Sequence, residues 1–132
     1  MKRFGFSKAE KLKSRKSIDA LFQGGQAFSR FPIRVVYRFA AAEEIGVKVG
    51  VSATKKHFKK AVDRNRIKRL LREAYRLQKQ HLVEAAREKQ FLAEVFFLYN
   101  GKELPAFDLI KNTMQSCLDK LQQNILAFEK PA

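Results

Sequence analysis

The chain has 132 residues, enough for one domain and not comfortably two. Apolar residues make up 45%, which excludes wholesale disorder, and Pro 3 with Gly 6 excludes collagen-like and low-complexity classes. Lys plus Arg is 28 against 13 Asp plus Glu, a net charge of +15; a compact body so charged repels itself, which points to an anionic partner.

Residues 1–79 hold 22 basic and 6 acidic residues, and residues 80–132 hold 6 and 7. The binding surface is therefore expected in the first two-thirds of the chain. Residues 1–15 are basic, with Phe4, Phe6 and Leu12 as the only large apolar anchors, and read as an extended, flexible arm. The start, MKRFGFSKAEKLK, has no apolar core and does not read as a signal peptide. Ile18, Leu21 and Phe22 keep helical spacing, so a short amphipathic helix is expected over about 15–23. Gly24 and Gly25 stop it. Gln26 to Phe31 is ambiguous between loop and short strand.

Ile33 to Phe39 is β-branched and aromatic, a strand that Pro32 introduces. Residues 40–45 read as a turn. In 46–53, Val47, Val49 and Val51 alternate with Lys48, Gly50 and Ser52, the pattern of a half-buried strand. The short link between these strands predicts a hairpin. A lysine-rich connection, 54–60, leads into a long helix expected over about 59–88. Phe91 to Tyr99 is apolar without a breaker and reads as a central strand. A last helix is expected over about 107–128, with Leu109, Ile110, Met114, Cys117, Leu118, Leu121, Ile125 and Leu126 as its apolar positions. The element order predicts a single α/β or α+β domain over 1–132.

The segment 61–77 carries the sharpest signal. At about 100° per residue, Ile67, Leu70, Leu71, Ala74 and Leu77 share one arc, with Arg64, Asn65, Lys68, Arg69, Arg72 and Arg76 on the opposite side. Residues 55–79 hold 11 basic and 2 acidic residues. A solvated helix face usually mixes signs, because like charges repel at these spacings. An all-basic face rich in arginine, whose planar fork suits phosphate oxygens, reads as a nucleic-acid surface.

Arg64-Asn65-Arg66, inside AVDRNRIKRLLREAYR, resembles the RNR signature of the protein subunit of bacterial ribonuclease P. KVGVSATKKHFKKAV resembles the strand and connection that precede that helix in the family, LKSRKSIDALFQGG its first helix, and FPIRVVYRF its following strand. The likeness covers about residues 11–79 and weakens towards 121. Ile18 stands where many members have an aromatic, and Asp63 where a neutral or basic residue is common.

The resemblance implies a two-layer fold like the second domain of a small-subunit ribosomal protein: a mixed four-stranded sheet, its fourth strand near 26–30, with helices and a left-handed β-α-β crossover. It implies an accessory subunit of an endoribonuclease whose catalytic RNA holds the magnesium ions and hydrolyses one phosphodiester of precursor tRNA. The partners it implies are that RNA, one protein to each, and precursor tRNA. By the same resemblance Arg64, Asn65, Arg66, Lys68, Arg69 and Arg72 meet the catalytic RNA, with Lys55, Lys56, Lys59 and Lys60 extending the footprint. Ile18, Phe22, Tyr37, Arg34 and Lys48 would line a cleft for the single-stranded 5′ leader, where aromatics and positive charge suit a single strand. Arg64→Ala and Arg72→Ala are expected to weaken RNA binding with little cost to folding.

No self-sufficient active site is expected. His57 and His81 are far apart in sequence and read as exposed, and no phosphate-cradling glycine motif occurs. The six acidic residues of 1–79 are scattered, whereas a metal-dependent nuclease needs clustered carboxylates. The protein itself is expected to bind no cofactor, metal or small-molecule substrate. With one cysteine, Cys117, no intramolecular disulfide is possible, and a cytoplasmic location is expected. No apolar run reaches the roughly 18 residues of a membrane span. The alternative function is a ribosomal or other structural RNA-binding protein; a helix-turn-helix DNA binder and a free-standing nuclease fit less well.

Overall fold

The computed structural model describes residues 11–12, 15–40 and 44–128. Its elements are α1 (Arg15–Gly24), β1 (Gln26–Arg30), β2 (Ile33–Ala40), β3 (Gly46–Ala53), α2 (Ala61–Gln78), α3 (Gln80–Lys89), β4 (Leu92–Tyr99) and α4 (Phe107–Ala127). The four strands form one mixed sheet in the order β1-β2-β4-β3. β2 is antiparallel to β1 and β4, and β3 is parallel to β4. Residues 26–30 of the ambiguous stretch thus form a real strand, and Phe31 lies in the turn that follows.

The expected hairpin between 33–39 and 46–53 does not form, because β4 lies between them. Burial explains this outcome. β4 is buried on both sides and takes a central place, whereas β3 carries Lys48, Gly50 and Ser52 on one side and suits an edge.

Side chains alternate across the sheet, so each strand divides by odd and even residue number. On the odd face Ile33, Val35, Tyr37, Val47, Val49, Ala93, Val95 and Phe97 join the main core. α2, α3 and α4 cover it. α4 contributes Ile110, Met114, Cys117, Leu118, Leu121 and Ile125, and full burial of a Leu or Ile stabilises by about 1.5–3 kcal/mol. Leu109 and Leu126, at the flanks of that stripe, are exposed instead. Burial pushes the Cys117 thiol up to about 12, so it stays protonated and unreactive at neutral pH.

The even face carries a smaller cluster of Leu12, Leu21, Val36 and Phe96, with Ile18 packed against it. Leu12 donates its backbone N–H to the Val49 carbonyl at 3.0 Å, and Lys11 bridges to Val49. The far end of the expected arm is therefore docked on the edge strand; residues 1–10, 13 and 14 lie outside the described residues. At its other end α1 turns into β1 through Gly25, whose N–H donates to the Leu21 carbonyl at 2.8 Å. A Cβ there would sit 2.5 Å from that oxygen. α1 consequently crosses the even face from the β3 edge to the β1 edge.

The helix expected over 59–88 is two helices that meet at Lys79. Neither Gly nor Pro marks the break. Gln78 donates to the Ala74 carbonyl and to the Lys111 carbonyl of α4, both at 3.0 Å, tying the end of α2 to its neighbour. Leu77, assigned to the apolar arc, is exposed at that end, and Tyr75, between the two arcs, is fully buried. His57 is half-buried and His81 exposed. Among the described residues no helix is long and apolar enough to cross a membrane.

Gly50 faces Phe96 across β3 and β4, and a Cβ on Gly50 would lie 2.7 Å from the Phe96 ring. Gly50→Ala is expected to displace that ring and destabilise the fold by about 1–3 kcal/mol. Urea denaturation monitored by circular dichroism measures this; an unchanged midpoint would contradict it.

Candidate nucleic-acid interface

The basic connection 54–60 is not a loose linker. Phe58 is buried, with its ring centroid 5.9 Å from that of Tyr99, and its N–H donates to the Thr54 carbonyl at 3.1 Å. One aromatic among lysines therefore pins the turn, while Lys55, Lys56, Lys59 and Lys60 stay exposed around it. Arg64 completes the anchorage. Its Nη1 donates to the Phe58 carbonyl at 2.8 Å and to the Lys59 carbonyl at 2.9 Å.

α2 buries Ile67, Leu71, Ala74 and Tyr75. Asn65, Arg66, Arg69 and Arg72 are exposed on its other side, and Arg64 and Lys68 are half-buried. Glu73 bonds Arg76 through both carboxylate oxygens, and that hydrogen bond holds its carboxyl below the usual carboxylate range. Among the described residues no ion pair engages Arg66, Lys68, Arg69 or Arg72. The predicted helix residues thus lie on α2, and the four exposed lysines on the connection that leads into it. Such a row of cations suits phosphates.

The even face holds the second set. α1 lies over the row Val36, Phe96 and Gly50, and leaves a flank on either side. One flank carries Arg34, Leu98 and Ser52 in register, with Ser29 opposite Arg34. The other carries Arg38, Glu94 and Lys48 in register. Phe22 reaches out from α1 with its ring edge-on to Phe96, centroids 5.1 Å apart, and is 47% exposed. It is half packing residue and half open platform. Ile18 is half-buried beside it.

Tyr37 is not in this cleft. It stands three residues from Arg34, so alternation sends it to the odd face. There its hydroxyl donates to Gln26 Oε1 and accepts from Asn124 Nδ2, each at 3.0 Å. Tyr37 instead lines a separate cavity of about 380 Å³ beside Phe39, Asn124 and Phe128. Lys48 shares the even face but pairs with Glu44 at 2.9 Å. Phe96, Leu98, Ser52 and Ser29 were missed. Their parity is legible within each strand, but matching it to Arg34 needs the register.

Arg64 also departs from expectation, since its guanidinium is bonded within the protein and its loss should affect folding.

The sequence pattern of the Ribonuclease P family matches residues 6–122. The ribonuclease P protein component of Porphyromonas gingivalis is 42% identical, covering 92% of this chain and 90% of its own length. That of Chlorobium phaeobacteroides is 31% identical, covering 92% and 88%. The structure of Staphylococcus aureus RNase P protein superposes with a TM-score of 0.70 at 21% identity, covering 86% of this chain and 95% of that one; this likeness bears on the fold.

Arg64 and Arg72 separate anchorage from contact. Arg64→Ala is expected to cost about 1–2 kcal/mol of folding stability by releasing two carbonyls from a charged donor. Arg72→Ala should leave stability within about 0.5 kcal/mol. Thermal unfolding of both variants checks this, and equal melting temperatures would refute the anchoring role.

Proposed function

The chain belongs to the ribonuclease P protein family, and we propose that its two basic surfaces divide the RNA between them. It is the protein component of an endoribonuclease that binds the catalytic RNA and assists removal of the 5′ leader from precursor tRNA. In the proposed division, the surface of α2 and the 54–60 connection meets the folded catalytic RNA. Arg66, Lys68, Arg69 and Arg72 supply phosphate contacts, with Lys55, Lys56, Lys59 and Lys60 around them, while Arg64 holds that surface in shape. Asn65, exposed in the same turn, has a donor and an acceptor for an RNA edge.

The leader lies on the Arg34 flank of α1. There a base stacks on the open side of Phe22, and Arg34, Ser52 and Ser29 offer a cation and hydroxyls to the backbone, beside Leu98 and Ile18. The observation that carries this reading is the half-open Phe22–Phe96 pair: an exposed aromatic packed edge-on to a second ring, over the same sheet face that carries an arginine with no ion-pair partner among the described residues. Such platforms bind single strands without reading sequence. β3 ends at Ala53 and runs straight into the lysine connection, so the two surfaces join at Ser52.

The chemistry rests with the RNA in this reading. Among the described residues no three His, Cys, Asp or Glu side chains group to hold a metal. Magnesium and the attack on the phosphodiester are assigned to the catalytic RNA, and one protein is assigned to each RNA in the cytoplasm.

Phe22→Ala is expected to weaken binding of precursor tRNA to the holoenzyme about 5- to 150-fold, the range for one lost stacking contact. The loss should vanish when the leader is trimmed to one nucleotide. Titration with a leader-length series measures it; a penalty independent of leader length would refute the cleft.

A further inference from the structure

Glu94 is the anomaly on the even face: a buried carboxylate, 7% exposed, on a surface that otherwise offers cations to RNA. It lies directly between Arg38 of β2 and Lys48 of β3. Arg38 donates to Glu94 Oε1 through Nε at 3.1 Å and also through Nη2. Lys48 is closed in turn by Glu44 at 2.9 Å. The row Arg38, Glu94, Lys48 and Glu44 therefore sums to zero charge. Across α1, the row Ser29, Arg34, Leu98 and Ser52 has an arginine and no carboxylate. The two flanks have the same strands and the same helix beside them, and differ in whether their cations are spent.

We propose that Glu94 is a specificity-determining residue that confines the single-stranded leader to the Arg34 flank of α1. The inference rests on the leader-cleft reading above. The Glu94 carboxylate acts in two ways. Its Oε1 accepts both hydrogen bonds from the Arg38 guanidinium, and its negative charge stands where a phosphate would otherwise settle. Without Glu94, Arg38 becomes a free cation at the edge of α1, and a long leader gains a second track. The buried carboxylate thus gives the cleft one electrically open side, by repulsion on the other.

Holoenzyme assembled with Glu94→Gln protein tests this against precursors of graded leader length and at several salt concentrations. The expected result is about threefold to tenfold tighter binding of long leaders at low salt. The log–log salt dependence should steepen by about 0.7, the value for one added phosphate contact on a single strand. Arg38→Gln with Glu94→Gln keeps the row neutral and guards against a folding defect in the single variant. That double variant should match wild type in affinity and salt slope. Long-leader binding by Glu94→Gln that is unchanged or weaker, with a wild-type melting temperature, would overturn the proposal. So would a double variant that binds more weakly with a shallower slope, because Arg38 would then be contacting RNA already. If wild-type affinity ignores leader length altogether, the leader-cleft reading itself fails, and the inference with it.

Discussion

β4 lies between an antiparallel and a parallel neighbour, and its alternating side chains commit the sheet to two unlike faces. Ala93, Val95, Phe97 and Tyr99 close the main core beneath α2, α3 and α4. Glu94, Phe96 and Leu98 point the other way, onto the face where α1 packs against Phe96 and polar groups reach the surface. A strand that must satisfy both sides cannot shift by one residue without burying Glu94 in the core and exposing Phe97. The register that stabilises the fold is thus also the register that places Phe96 under Phe22 and Glu94 beside Arg38. In the proposed reading, stability and recognition rest on the same pairing.

The basic surface depends on that rigid body for another reason. Like charges at helical spacing repel, and among the described residues Arg76 alone of the α2 cations is paired with a carboxylate. The cost is carried by the apolar side of the same helix and by the Phe58 anchor, which keeps four lysines from swinging away into solvent. Binding an RNA then relieves a repulsion built into the folded protein, and the cations arrive already positioned. Sensitivity to salt follows, because each phosphate neutralised releases condensed counterions.

Much of this was legible in the residues. The alternation of 46–53 and the two arcs of 61–77 are local patterns, and the structure keeps both. The uneven charge of the two parts of the chain puts the basic surface on residues 1–79, where α2 and the 54–60 connection carry it. What stayed hidden was non-local. Strand order is a tertiary property, so the link between 33–39 and 46–53 suggested a hairpin where β4 intervenes. Phe96 looked like one more core aromatic because the register that lays it over Gly50 cannot be counted along the chain. The anchoring role of Arg64 stayed hidden because its acceptors are backbone carbonyls, which every residue has. Tyr37 is different: its three-residue separation from Arg34 is enough by itself to put the two on opposite faces of the sheet.

The division of labour between the surfaces has a direct test. Cys117 is buried with its thiol held protonated, so a cysteine introduced elsewhere can be labelled selectively with a photo-crosslinker. Ser29→Cys puts the label beside Arg34, and Ala61→Cys puts it at the start of α2 on the basic surface. In holoenzyme bound to precursor tRNA, crosslinks from position 29 are expected in the leader, and those from position 61 in the catalytic RNA. Crosslinks from both positions to the same RNA segment, or with the two targets exchanged, would contradict the account.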